Sequence, residues 1–509
     1  STQVRIRSIC LAKLVRRRDH VLLMWARLML FLPGAAAFAS TIPEKGASEW
    51  GVRRMGVIFD CGSSGTRAHY FKWDSSAPDQ PEEVAAPNGS LRVAPGISAF
   101  AVGQACDESG DSNHDGVCDQ LLVDTAHPAC PTNTACNLTI GQYIQPLLDQ
   151  ATDQVPETLR ATTKLRMQAT AGMRLLDSTK QAAIWKDLAA AASTTDFDFE
   201  AAEDAFTLAG DYEGIFGWLA VQSVNGLPIT QTYGWMDLGG ASTQIAFEPE
   251  DRVITENGVA VQSEYSNRPR TSYVYSISYM LSGLDQGQLR VAQYLYNQSS
   301  AVDEVANPCF NPGYNESMQV CEGIALGSSS TCSGPKRDVM FVGTGDYEEC
   351  RSVIEAAIMH KNYQCLQEPC AVAGRYQPKV GNMTFFAGSH FFHTAQGLGL
   401  PTGKGTYVKT YQIVSAGSDF CSTEWSAIGV TKYRSDKNSK DYCFASAYIP
   451  AMLDAYGIDP DKDTVTYASS VGNEALEWPL GCQLYNNLMG MANVGMPLRV
   501  VNDHAKAEL

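Results

Sequence analysis

The chain has 509 residues, 44% of them hydrophobic and 18% charged, with a formal net charge of -17. That length exceeds what one hydrophobic core serves and leads to an expectation of two lobes. So acidic a surface excludes nucleic acid and anionic membranes as partners, because either requires a basic footprint.

The charge is unevenly spread. Residues 1–39 hold seven Lys or Arg and one Asp, a net of +6, so the remainder carries -17 - 6 = -23. Arg16-Arg17-Arg18 precedes an apolar stretch over 21–39 that ends in Ala37-Phe38-Ala39, the small-x-small pattern of a signal-peptidase site, with cleavage before Ser40. A start at Met24 would itself give a signal peptide of ordinary length. The rival is an uncleaved anchor, but Arg27 and Pro33 interrupt the stretch, and no later run reaches the roughly 18 apolar residues of a span. The expectation is a secreted or secretory-lumen protein without a stable membrane span. Of the 15 cysteines only Cys10 falls in the leader, and the other 14 imply disulfides in an oxidising compartment. Cys365 and Cys370 suit a local bridge, whereas Cys61 and Cys482 stand apart as candidate free thiols. Sequons at Asn88, Asn137, Asn297, Asn315 and Asn382 agree with export.

The first folded element is Val57-Ile-Phe-Asp60-Cys61-Gly62-Ser63-Ser64-Gly65-Thr66-Arg67. An apolar strand ends in Asp, then a Gly-rich turn carries hydroxyls into a return strand, 67–73, making a hairpin with the loop at its tip. Glycines allow sharp bends and close approach, so successive N–H groups can converge on phosphate oxygens while the carboxylate holds a cation. Residues 74–100, rich in Pro, Ser and Glu, read as surface loop. In Asp111-Ser-Asn113-His-Asp115-Gly116-Val-Cys118-Asp119 oxygen ligands alternate, with Gly at the sixth position, the spacing that wraps a loop around Ca²⁺. The twelfth position is Leu122 rather than Glu, which excludes an EF-hand. The loop looks more like the disulfide-pinned calcium loops of thrombospondin type 3 repeats, with an Asp-rich turn as the alternative.

A short strand over 164–169 runs into Thr170-Ala-Gly-Met-Arg174, where a helix begins and, after a break, continues through the Ala-rich 189–192. Another helix is expected over 206–224, carrying Glu213. Then comes a variant of the first hairpin, 177 residues on: Gly234-Trp-Met-Asp237-Leu238-Gly239-Gly240-Ala241-Ser242-Thr243-Gln244. Two such hairpins suggest a pair of phosphate grips facing each other across a cleft. Residues 273–280 alternate like a strand, and 338–342 form a strand turning into a helix. Gly343-Thr-Gly345 there lacks the third Gly of a dinucleotide fingerprint and is structural.

Four of these elements, in order, carry a resemblance: Asp60 to Arg67, Ala169 to Arg174, Glu213-Gly-Ile-Phe-Gly-Trp218, and Asp237 to Gln244. Together they resemble the apyrase family of nucleoside tri- and diphosphate diphosphohydrolases, with further matches at Phe341 to Tyr347, Phe386 to Phe392 and Tyr442 to Ile449. The resemblance implies an α/β fold of two actin-like, hexokinase-like (ribonuclease H-like) lobes. Lobe I would span 52–206 plus 472–509 and lobe II 207–471. It implies removal of terminal nucleotide phosphates by water with Ca²⁺ or Mg²⁺. By correspondence, Glu213 is the general base, Ser242 and Gln244 hold the water, and Thr170 donates to the terminal phosphate. Asp60 and Asp237 hold the metal through its water shell. Gly62, Ser63, Ser64, Gly65, Thr66, Arg67, Gly239, Gly240, Ala241 and Ser242 cradle the phosphates. Phe391, Phe392 and Tyr442 match regions that sandwich the nucleobase, and Asp111, Asn113, Asp115 and Asp119 are candidate ligands of a separate structural calcium. Arg174 reads as a structural ion-pair partner. The final element departs from the family, with Pro479 where a small residue is usual, and Trp478 is expected to pack there.

Other readings remain at this stage. An exopolyphosphatase is the nearest enzymatic rival. A sugar kinase or actin-like ATPase shares the fold but leaves Glu213 without a role, and a catalytically silent nucleotide- or glycan-binding protein is the non-enzyme alternative.

Overall fold

The computed structural model describes residues 53–86, 89–124, 126–131, 134–226, 232–250, 257–265, 268–300, 303–322, 335–359, 364–428, 436–462 and 464–492. The leader over 1–39, Asn88 and the chain past 492 lie outside them.

Two six-stranded sheets organise these residues. In the first, Arg53–Gly62 folds back antiparallel on Gly65–Asp74, and on its other side runs parallel to Lys164–Ala169, which is followed by parallel Ala205–Thr207. The second sheet repeats that unit. Gly234–Leu238 pairs antiparallel with Ser242–Phe247 and parallel with Phe385–Ser389, next to which lies parallel Val465–Tyr467. Arg268–Met280 and Gly258–Tyr265 extend the hairpin side. The duplicated hairpin of the sequence is therefore the visible part of a duplicated sheet. Its lead strands read apolar without alternation because both faces are covered: Val57, Ile58 and Phe59 are all fully buried.

Helices Ile140–Gln154 and Ser178–Ala192 cover the first sheet, started by a Thr139/Gln142 capping box and an Asp177 cap. Tyr442–Ala455, buried on nearly every face, fills the second. A third core joins the two. Helices Gly210–Asn225 and Trp478–Ala492 pack together and against Ile58 and Phe71 of one sheet and Trp235 and Phe386 of the other. Trp478 lies in this core, 6% exposed. The helices meet so closely that a methyl on Gly481 would fall 1.7 Å from the Phe216 carbonyl oxygen, an approach only glycine allows.

Two expectations are corrected here. Residues 205–207 are a strand, and the helix starts at Gly210; three residues pairing with Met167–Ala169 carry no periodicity to reveal them. The segment 74–100 is not all surface loop either. It holds strands Glu82–Glu83 and Arg92–Val93 and a turn of helix, Ile97–Phe100, whose end residues are fully buried.

Cysteines pair as 106–118, 130–136, 309–350, 365–370 and 421–443, and Cys321 is also bridged. Among the described residues Cys61 and Cys482 are free, and both are buried. Asn137, Asn297, Asn315 and Asn382 are exposed. No helix among the described residues is long and apolar enough to cross a membrane.

Candidate active site

Each lead strand delivers its aspartate at the point where the hairpin opens. Asp60 stands opposite Arg67, and Asp237 opposite Gln244, in the same register. The two loops meet. A methyl on Gly240 would lie 2.9 Å from Ser63 Oγ, and one on Gly172, in the turn that carries Thr170 and Arg174, would lie 2.9 Å from Ser63 Cα. The second loop is oriented by its carbonyls: Gly239 O accepts from Leu284 N at 2.8 Å, and Gly240 O from Asp285 N at 2.9 Å and Gln286 N at 3.1 Å. Those carbonyls are engaged by the start of helix Leu284–Gln298, while Gly239 N–H closes the loop on Ser242 O at 3.0 Å.

Glu213 enters from the first turn of Gly210–Asn225 and is 7% exposed, not the solvated helix residue an arbitrary Glu would be. Its Oε2 accepts from Arg174 Nη2 at 2.6 Å and from Gln244 Nε2 at 3.1 Å. Arg174 Nη2 also reaches Ser242 Oγ at 3.1 Å, and Gln244 Nε2 lies 2.7 Å from Ser242 Oγ and 2.8 Å from Ser278 Oγ, its two hydrogens shared among these and Glu213. So Glu213, Ser242 and Gln244 form one network, with Arg174 as the ion-pair partner within it. No bond to another described residue engages Glu213 Oε1. Thr170 is buried beside them, its N–H donating to Cys61 O at 3.2 Å.

Asp60 Oδ1 and Asp237 Oδ1 are buried without a hydrogen-bond partner. Burial raises both carboxyls to about 7; for Asp60 the nearby His69 opposes and Glu477 adds to the shift, and for Asp237 Glu213 adds to it. Two orphaned carboxylate oxygens pushed toward neutrality fit a divalent cation, which would supply the missing partner. Glu213 is likewise raised by burial, with Arg174 opposing.

Sequence reasoning missed two groups at this site. Ser389 follows the residue paired with Asp237 in the neighbouring strand and works against the upward shift of that carboxyl, from a strained backbone, φ 50°, at the start of helix His390–Gly397; it lay within the Phe386 to Phe392 motif, but nothing marked it. Glu477 lies 3.8 Å from Arg67 and 3.6 Å from His69, and His69 Nδ1 lies 2.8 Å from Glu83.

Two further site expectations are corrected. Phe391 is fully buried and Tyr442 is 3% exposed, both in the core of the second lobe, so neither offers a ring face for a base; the half-buried Phe392 alone of the three keeps some access. In the Asp-rich loop the carboxylates are engaged by the chain itself. Asp111 accepts from Asp115 N at 3.1 Å and Gly116 N at 2.9 Å, Asn113 from Asp115 N at 3.0 Å, Asp115 from Val117 N at 3.0 Å, and Asp119 from Ser112 N at 3.1 Å. Those of Asn113 and Asp115 are Asx turns, those of Asp111 and Asp119 bridge longer spans, and the Cys106–Cys118 bridge closes the loop; among the described residues no group of three or more acidic, His or Cys side chains is arranged around a metal position.

An antiparallel hairpin beside two parallel strands, built twice with a loop at each tip, defines a two-lobed α/β protein whose two glycine-rich loops face each other. Residues 49–500 match the model of the GDA1/CD39 (nucleoside phosphatase) family, and the chain belongs to that family. It is similar to a protein of Arabidopsis thaliana named probable apyrase 4, 31% identical, with 84% of this chain and 78% of that one covered. It is also similar to ectonucleoside triphosphate diphosphohydrolase 1 of Mus musculus, 27% identical over 87% of this chain and 82% of that one. A crystal structure described as nucleoside triphosphate hydrolases from Neospora caninum shares the fold, with a TM-score of 0.56 at 16% identity, covering 90% of this chain and 95% of that one.

Proposed function

We propose that this protein hydrolyses the terminal phosphoanhydride bond of nucleoside tri- and diphosphates by attack of water, with Ca²⁺ or Mg²⁺ bound. The observation that carries the reading is the Glu213 network. One carboxylate oxygen is fixed by Arg174 and Gln244, which leaves Oε1 to accept the proton of a water. Ser242 and Gln244 orient that water, and Thr170 donates to the phosphate it attacks. Amides and hydroxyls at Gly62, Ser63, Ser64, Gly65 and Thr66, with Gly239, Gly240, Ala241 and Ser242, hold the phosphate oxygens, and Arg67 adds a charged donor. Asp60 and Asp237 would hold the cation, which neutralises phosphate charge when bound. Family membership and the names of the relatives support this substrate class. Exposed sequons, paired cysteines and the basic, apolar leader support a secreted, glycosylated protein.

The test is Glu213→Gln. The amide keeps an oxygen for Arg174 but takes no proton, so phosphate release from ATP should fall ~10²-fold or more, the range of a positioned base, while nucleotide binding by calorimetry persists. Activity above about a tenth of wild type would remove Glu213 from the role of base.

A further inference from the structure

Arg92 lies in the segment that the sequence presented as loop, yet the fold places it at the phosphate site. The strand Arg92–Val93 pairs with the return strand of the first hairpin, with Arg92 directly opposite Arg67 and Val93 opposite Thr66. Across that same return strand Arg67 stands opposite Asp60. Directly opposed residues on antiparallel strands project from one face, so Arg92, Arg67 and Asp60 form a row. Arg92 also caps the loop tip: its Nη2 donates to Ser64 O, and a methyl on Gly65 would lie 2.8 Å from its Nε and Cζ.

Two cations directly opposite across strands repel, and folded chains ordinarily place a carboxylate between them. Arg67 has one, Glu477 at 3.8 Å. Arg92 has none within ion-pair distance among the described residues, although it is half buried. Partial burial and the charge of Arg67 both work against its ionised form and outweigh the opposing pull of Tyr143 and Asp60. A half-buried, unneutralised guanidinium beside a second one, on the loop whose amides converge on phosphate, has the features of an anion subsite awaiting its ligand.

We infer that Arg92 is a substrate-binding residue, pairing with Arg67 to hold the phosphate chain of a triphosphate, and that it sets discrimination between tri- and diphosphates. This deepens the proposed function and rests on it. One N–H of the guanidinium fixes the Ser64 carbonyl, and the others remain for phosphate oxygens. The additional phosphate of a triphosphate gives the second arginine a partner that a diphosphate supplies less fully.

The experiment compares wild type, Arg92→Gln and Arg92→Lys in phosphate-release kinetics on ATP and ADP, with thermal unfolding in inorganic tripolyphosphate alone. In Arg92→Gln the KM for ATP should rise at least about tenfold, the worth of one charge-assisted contact. KM for ADP should change less, kcat should hold within a few-fold, and protection by tripolyphosphate should weaken. Arg92→Lys should recover part of the ATP effect. A fall in kcat that is equal for both nucleotides with KM unchanged, or undiminished protection by tripolyphosphate, overturns the inference and leaves Arg92 a loop brace. Should Arg92→Gln fail to fold, the same comparison is read from Arg92→Lys, where an ATP-to-ADP KM ratio equal to that of wild type overturns it. If wild type releases phosphate from neither nucleotide, it is the proposed function that fails; the tripolyphosphate measurement still decides the anion site.

Discussion

Trp235 holds the helix that carries Glu213 against the strand that carries Asp237, and Gly217→Ala tests how tightly. Gly217 lies one turn beyond Glu213, and a methyl there would fall 2.0 Å from Trp235 Nε1 and 2.4 Å from its Cδ1. The indole is 2% exposed and cannot retreat, because Gly388 presses it from elsewhere: a methyl on Gly388 would lie 2.3 Å from Cη2. Ordinary carbon contact needs about 3.5 Å, so helix Gly210–Asn225 must shift by roughly 1.5 Å or the ring must leave its rotamer. Overpacking of this kind costs about 1–3 kcal/mol, from which the better helix propensity of alanine returns at most about 1 kcal/mol. Misplacing a reacting group by about 1 Å costs on the order of 10²-fold in rate. Gly217→Ala should therefore lower the unfolding temperature by a few degrees and kcat by about 10- to 100-fold. Thermal unfolding and initial rates of phosphate release check both. A variant as active as wild type and equally stable would show that the helix is not positioned by this contact.

Other expectations follow from the same geometry. Asp60→Asn and Asp237→Asn should each shift the Ca²⁺ or Mg²⁺ concentration needed for half-maximal activity upward by about tenfold or more, the effect of losing a charged ligand partner; superimposable titrations in both variants would remove these residues from the cation site. His390 is held down at about 4 by burial, with His393 adding to the effect. The unfolded chain takes up that proton near 6.5 while the folded one refuses it, so its contribution to stability is full above pH 6.5 and falls as pH drops toward 4, by at most about 1.4 kcal/mol per pH unit. His390→Asn should flatten the loss of stability between pH 7 and 5 seen by urea unfolding, and an unchanged slope would refute this. Cys61 and Cys482 are buried, and burial raises the Cys482 thiol to about 11 and the Cys61 thiol further. Neither should react with a thiol reagent until the protein unfolds; one equivalent labelled at once under native conditions would contradict their placement.

What the sequence showed plainly was local. An Asp, glycines and hydroxyls within eight residues specify a loop whatever lies around it, and its repetition announced the doubled sheet. What it concealed depends on distant chain. Ala205–Thr207 is a strand only because Met167–Ala169 lies beside it. Arg92 is two residues of ladder inside a stretch whose composition says loop. An aromatic side chain serves a core and a base equally well, and burial decided for the core at Phe391 and Tyr442. The alternating oxygens of 111–119 had two uses, and the backbone N–H groups of the loop itself took them.

The central claim is that Asp60, Glu213 and Asp237 serve hydrolysis of nucleotide phosphoanhydrides, and the most direct test is phosphate release from ATP, ADP, AMP and inorganic polyphosphate, each with Ca²⁺, Mg²⁺ or EDTA. The account predicts release from ATP and ADP that EDTA abolishes, with none from AMP, which has no phosphoanhydride bond. Release from polyphosphate alone, or from no substrate in either metal, would contradict it.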